Sequence, residues 1–187
     1  MKNHLNILLA AIAVVFMAGA SVSCSDDDLG ASIFNTDPSQ DILDKTQSTF
    51  PLDSFIKAEY LEPYNVKFVY RYDDKGTDMT KNLTPARYDK SVDLAVLTKY
   101  LWYDVYNTVS GGQTFLKQYS PRIIQLIGSK NYNASQGTEV LGDASSGVKI
   151  NFYNVNNLDV SDIAMMNEYF FKTMHHEFSH ILHQKKT

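Results

Sequence analysis

Cysteine is nearly absent from this 187-residue chain. Cys24 stands alone, so no internal disulfide can staple the fold. No hydrophobic run is long enough for a comfortable membrane span; the most apolar stretch, Leu5 to Ala20, falls short of it. Basic residues are not in excess, with 17 Lys and Arg against 21 Asp and Glu, and a net charge of −4 leaves no basic face for nucleic acid. Repeats and low-complexity blocks are missing. Histidine is scarce as well, 5 in all, yet four of the five are His175, His176, His180 and His183.

That cluster contains His176-Glu177-Phe178-Ser179-His180, the spacing H-E-x-x-H. Two histidines four apart on a helix point the same way, because 3.6 residues make one turn. Their ring nitrogens can close on one small cation. Zinc suits such a pair: it takes imidazole ligands, has no redox chemistry and brings the pKa of a bound water to roughly 7. The glutamate directly after the first histidine is placed to take a proton from that water. The pattern therefore reads as a zinc hydrolase helix of the metalloprotease kind, with His176 and His180 on the metal and Glu177 as the base. The plainer alternative is a surface helix with incidental histidines.

The surrounding sequence supports a helix. From Ile163 to Gln184 there is no proline and no glycine, and Ser161 or Asp159 can cap the start. Ile163, Met166, Phe170, Met174, Phe178 and Ile181 recur at three and four residues as one apolar stripe. At about 100° per residue, His176 and His180 lie away from that stripe. His183 falls on their side of the helix. A helix would put it about 10 Å along the axis from His176, so cleft lining suits it better than direct ligation.

The front of the chain speaks to location. A short positive start and the apolar run lead to Ser21-Val22-Ser23-Cys24, small residues before the single cysteine. They resemble a bacterial lipobox, which would make residues 1–23 a signal peptide and Cys24 the lipidated N-terminus. An ordinary signal peptide cut nearby, with a stray thiol, is the alternative. Ser25-Asp26-Asp27-Asp28 resembles the acidic tag of surface-exposed Bacteroidetes lipoproteins, and it also suits a solvated linker. Residues 24–49 read as a polar tether, and residues 50–187 hold one domain's worth of chain.

Within that domain, Asp53 or Ser54 is expected to cap a short helix running through Tyr60 and ended by Pro63. Tyr64 to Tyr72 reads as a strand, followed by turn chemistry at Asp73-Asp74-Lys75-Gly76. The spacing of an EF-hand calcium loop is absent there. Lys90 to Asn107 reads as an amphipathic helix with Leu94, Leu97, Leu101 and Val105 on one face, and Gly111-Gly112 breaks the chain. Arg122–Ile127 and Val148–Val155 read as strands, joined by a flexible connection over Gly128–Gly147. This order predicts an α+β unit, a small sheet backed by helices.

Tyr64-Asn65-Val66-Lys67, Arg71-Tyr72-Asp73-Asp74, Lys81-Asn82-Leu83-Thr84-Pro85, Phe152-Tyr153-Asn154-Val155-Asn156 and the extended H-E-x-x-H-x-x-H-Q from His176 to Gln184 together resemble one family. It is the substrate import-associated zinc metallohydrolase lipoproteins of the Bacteroidetes, also called zinc-binding metallopeptidases, which accompany SusC/SusD-type outer-membrane import pairs. The resemblance implies a zincin-like fold, Zn2+ as cofactor, His176 and His180 as its ligands, Glu177 as catalytic acid/base, and Val148–Val155, the strand before the histidine helix, as the edge strand to which an extended peptide adds. It further implies peptide or glycoprotein substrates, SusC/SusD-like partners, and an outer-membrane lipid anchor at Cys24 on a surface-exposed protein, a periplasm-facing one being the alternative. Members of that family run further past the motif, where zincins draw their third ligand, so the chain is expected to be a truncated form. A zinc peptidase at the cell surface and a non-catalytic surface module that kept the motif are the two functional readings.

The address is testable. The protein should incorporate labelled fatty acid and partition with outer membranes, and Cys24→Ala should abolish both. Replacing Asp26, Asp27 and Asp28 by alanine should keep the lipid and turn the protein inward; equal protease shaving of wild type and triple mutant on whole cells would count against surface export.

Overall fold

A computed structural model describes residues 43–73, 80–133, 137–145 and 147–186. Cys24, Asp26–Asp28 and most of the Asp73–Gly76 turn lie outside the described residues. The described chain is α+β. Helix α1 (Phe50–Ile56) runs through a π-helical turn at Lys57–Leu61 into a last turn, α2 (Glu62–Tyr64). Strand β1 (Lys67–Val69) follows, then α3 (Tyr88–Thr98), a π turn at Lys99–Tyr103, α4 (Asp104–Ser110) and α5 (Thr114–Tyr119). The sheet strands are β2 (Ile123–Leu126), β3 (Asn131–Asn133), β4 (Thr138–Val140), β5 (Gly142–Ser145) and β6 (Lys149–Phe152). The last helix comprises α6 (Ile163–Met165), a π turn at Met166–Phe171 and α7 (Lys172–Lys186).

The main sheet has the order β1-β2-β6-β5. β1, β2 and β6 are parallel, whereas β5 runs antiparallel to β6 at the edge. One face alternates Phe68, Ile124, Leu126, Ile150 and Phe152 into the core, as a strand period of two requires. Met166, Phe170, Met174, Phe178 and Ile181 of the last helix join the same core, along with Trp102 and Tyr103. Phe178 meets Trp102, Tyr106 and Phe115 edge-on, with ring centroids 5.1 to 6.2 Å apart.

Several expected boundaries move, each for a local reason. The first helix starts at Phe50 with Pro51 in its opening turn, and it runs past Pro63 to Tyr64. The π turn ahead of Pro63 bonds Glu62 N–H to the Lys57 carbonyl, and Asn65, left-handed at φ 55°, ends the helix. The strand expected over Tyr64–Tyr72 pairs only at Lys67–Val69; beyond it Tyr70 and Arg71 turn their side chains to Asp53.

The second helix starts at Tyr88 and reaches Ser110, where Gly111 at φ 74° closes it. Its expected face is only partly the buried one: Leu94 is buried, but Leu101 and Val105 are 42% and 45% exposed. The π turn at Lys99–Tyr103 inserts one residue, which rotates everything after it by about 100°. The buried face therefore steps from Leu94 and Thr98 to Trp102, with Tyr106 packed against the core. In the last helix Ile163, in the first turn, is 74% exposed, and the buried stripe starts one turn on at Met166. Its cap is Asp162, whose Oδ1 accepts from Met165 N–H at 2.9 Å; Asp159 instead holds the turn at Ser161.

The segment 128–147 is not a plain connection. It carries the β3–β4 hairpin and the edge strand β5. Val148–Val155 is correspondingly not an edge: its paired part, β6, lies between β2 and β5. Among the described residues no helix is long and apolar enough to cross a membrane.

Phe178→Ala should open the aromatic junction between α4, α5 and α7. We expect a loss of about 3–5 kcal/mol in urea unfolding, the cost of truncating a fully buried aromatic side chain.

Candidate metal centre

α7 carries two kinds of face. Met174, Phe178 and Ile181 are fully buried, and this fixes the helix's rotation. His176 and His180 consequently stand exposed on the opposite side, one turn apart. Their Nε2 atoms are 3.1 Å apart and their rings nearly perpendicular, at 87°. Two nitrogens bound to a tetrahedral zinc at about 2.0–2.1 Å would stand about 3.3 Å apart. The pair thus fits two adjacent positions of a zinc site, in distance and in ligand chemistry. Among the described residues no third His, Cys, Asp or Glu side chain converges with them.

Glu177 is turned the other way from solvent, at 7% exposed. Its stem lies under the backbone of Gly142 on β5. A Cβ at position 142 would come within 2.6 Å of Thr173 Cγ2, 3.1 Å of the Asn151 carbonyl oxygen and 3.3 Å of Glu177 Cγ. Burial raises the Glu177 pKa. His176 and His180 pull it back down, Asp143 pushes it up, and the Ala144 backbone N–H favours the charged form. A buried carboxylate beside two imidazoles and a backbone N–H is suited to holding a proton transiently.

The neighbouring residues define a cleft of about 360 Å³ between the helix and the β4–β5 run. Val140, Leu141 and Gly142 form one wall; Thr173, His176 and Glu177 form the other. The charges around it are paired: Lys172 with Glu168 at 3.1 Å, and Glu139 with Lys130 at 2.6 Å. β5 is itself held from behind. Asp143 accepts from Asn151 Nδ2 at 2.8 Å and from Tyr153 OH at 2.6 Å.

The other motif residues do different work. His175 lies near Tyr106, with Nδ1 3.3 Å from the hydroxyl, and partial burial lowers its pKa. His183 is exposed. Gln184 lies against the β5–β6 turn, its side chain 3.2 Å from where a Cβ of Gly147 would sit. The contributions of Gly142, Thr173 and Asp143 were not visible in the sequence. Only the glycine at 142, beside a buried helix position four before Glu177, could have hinted at a close approach.

Residues 45–187 match the protein family described as "Putative zinc-binding metallo-peptidase". The chain belongs to that family. A crystal structure titled as a "putative zinc-binding metallo-peptidase" from Bacteroides caccae ATCC 43185 is similar at 35% identity and a TM-score of 0.56. The match covers 79% of this chain and 56% of that one, so the chain spans little more than half the length of that relative. No curated protein matches. The observed helices and small mixed sheet are those of a zincin-like metallopeptidase fold.

The raised pKa of Glu177 sets a pH dependence. Below the ordinary carboxylate pKa of about 4.3 the group is protonated folded or unfolded and imposes no penalty. As pH rises through the higher folded value, the buried carboxylate ionises at a cost and stability is lost. Glu177→Gln should therefore raise the Tm of the metal-free protein at pH 7 and leave it nearly unchanged at pH 4; a gain of equal size at both pH values would contradict this.

Proposed function

We propose that this chain is a zinc-dependent metallopeptidase in which His176 and His180 hold the metal and Glu177 is the general acid/base. The observation that carries this is the division of α7: two exposed imidazoles at ligand spacing, and between them in sequence a carboxylate buried against an edge strand. Zinc in that position would supply a Lewis acid for a carbonyl and for its own water. Glu177 accepts the proton of the attacking water and returns it to the leaving amine. β5 supplies a backbone edge along which an extended peptide can add, since among the described residues only its β6 side is paired with a strand. The cleft walls keep that edge within reach of Glu177.

The finer reading places the enzyme on the cell surface through a lipid at Cys24, acting on peptides or glycoproteins beside a SusC/SusD-type importer. The residues before and after Cys24 and the family resemblance support it. A second reading, a non-catalytic binding module using the same cleft, is favoured by the two-ligand set among the described residues.

Zinc binding separates these readings. Two ligands should give weak, stoichiometric zinc in equilibrium dialysis, and His176→Ala or His180→Ala should abolish it; unchanged binding in both would remove the site assignment. Where peptide hydrolysis is seen, Glu177→Gln should lower kcat on the order of 10²–10⁴-fold with the metal retained. Bound zinc with no hydrolysis of any peptide in a broad library would favour the binding module.

A further inference from the structure

Gly142 is the point at which the edge strand touches the histidine helix. Its backbone lies so close to α7 that a methyl group there would overlap Thr173 Cγ2 at 2.6 Å and press on Glu177 Cγ at 3.3 Å. The overlap is steric alone, because position 142 is not left-handed and imposes no conformational demand for glycine. Thr173 is buried and sits one turn before Glu177, so both side chains meet the strand on one face of the helix. The strand cannot retreat freely. The Asp143 carboxylate is tied to Asn151 and Tyr153 on the β6 side, and β5 is paired with β6 over all four of its residues.

We propose that Gly142 and Thr173 form a spacer that sets the separation between the cleft-lining strand and Glu177, making position 142 a positioning residue for the general base. This rests on Glu177 being that base, but the contact itself is geometric and can be examined without turnover. The Thr173 methyl fills the space that a residue-142 side chain would need. Strand backbone, threonine methyl and glutamate stem are packed in a single layer, and interiors at this density pass a displacement on instead of absorbing it. With β5 held on its β6 side, a methyl added at 142 pushes on Thr173 Cγ2 and the Glu177 stem and takes the Glu177 carboxylate out of register with the Ala144 N–H. Moving the methyl from residue 173 to residue 142 conserves volume and relieves most of the clash.

The test uses the full chain labelled with ¹³C at the Glu carboxyl carbon, with the Glu177 resonance assigned by its loss in Glu177→Gln. At one fixed pH, Gly142→Ala should shift or broaden that resonance, and Gly142→Ala combined with Thr173→Ser should return it toward the wild-type position. Zinc stoichiometry, read in parallel, should hold in both variants because the histidines are not touched. A folded Gly142→Ala protein with an unmoved Glu177 signal would overturn the proposal, as would failure of the second substitution to restore it. Should Gly142→Ala not fold, the helix side decides: Thr173→Val keeps a methyl at the contact and should keep the signal, whereas Thr173→Ser removes it and should move the signal. Identical spectra for those two would also overturn the proposal. Loss of zinc binding or of hydrolysis in the wild type would bear on the metallopeptidase reading and leave these resonances to decide the spacer.

Discussion

Met174, Phe178 and Ile181 are fully buried on one side of α7, and that burial decides which way His176, Glu177 and His180 point. A helix is a rigid ruler at 100° per residue, so fixing one face fixes the others. With the apolar stripe held between the sheet and the aromatic cluster of Trp102, Tyr106 and Phe115, the histidines have solvent before them and Glu177 has β5. The metal-ligand pair is thus a by-product of core packing. Weakening the stripe would let the helix roll, and the two histidines and Glu177 would lose their separate orientations together.

Three of the segments that carry the family resemblance, those at Asn65, Lys81–Pro85 and Asn156, prove to be joints. Asn65 ends the first helix in a left-handed turn. Lys81 bonds Asn131 at 2.9 Å, and Gly128 N–H donates to the Thr84 carbonyl. Asn156 Nδ2 reaches the Pro85 carbonyl while its Oδ1 accepts from Arg87 N–H, which ties the loop after β6 to the approach to α3. These bonds close the end of β6 and the end of β2, after which the β3–β4 hairpin and then β5 follow. Their role is to place the edge strand, one step removed from the chemistry.

Placing that strand also has a cost in the free energy of the metal-free fold. Burial raises the Glu177 pKa, so ionising this carboxyl costs more in the folded chain than in water. His176 and His180 offset this by pulling the pKa down, and they do so from the side on which a cation would bind. The base and the ligand pair are therefore coupled electrostatically as well as through the helix.

The α+β class, the last helix, its buried stripe and the shared side of His176 and His180 were all legible beforehand, because helical spacing relates residues three and four apart and needs no distant partner. The strands at Ile123–Leu126 and Lys149–Phe152 were legible too, from short runs of β-branched and aromatic residues. What the sequence did not reveal was non-local. Gly142-Asp143-Ala144-Ser145 has little strand propensity, and it is an edge strand only because β6 pairs with it. That pairing moved the peptide-aligning edge from Val148–Val155 to β5. The π turn at Lys99–Tyr103 re-aimed Leu101 and Val105 to solvent, an offset that regular helical spacing does not contain. Helical spacing alone was enough to put His176 and His180 on one side of the last helix. Only the tertiary structure decided that Glu177 is buried and Gly142 presses on it, since both depend on strand pairing and close packing across some 35 residues of chain.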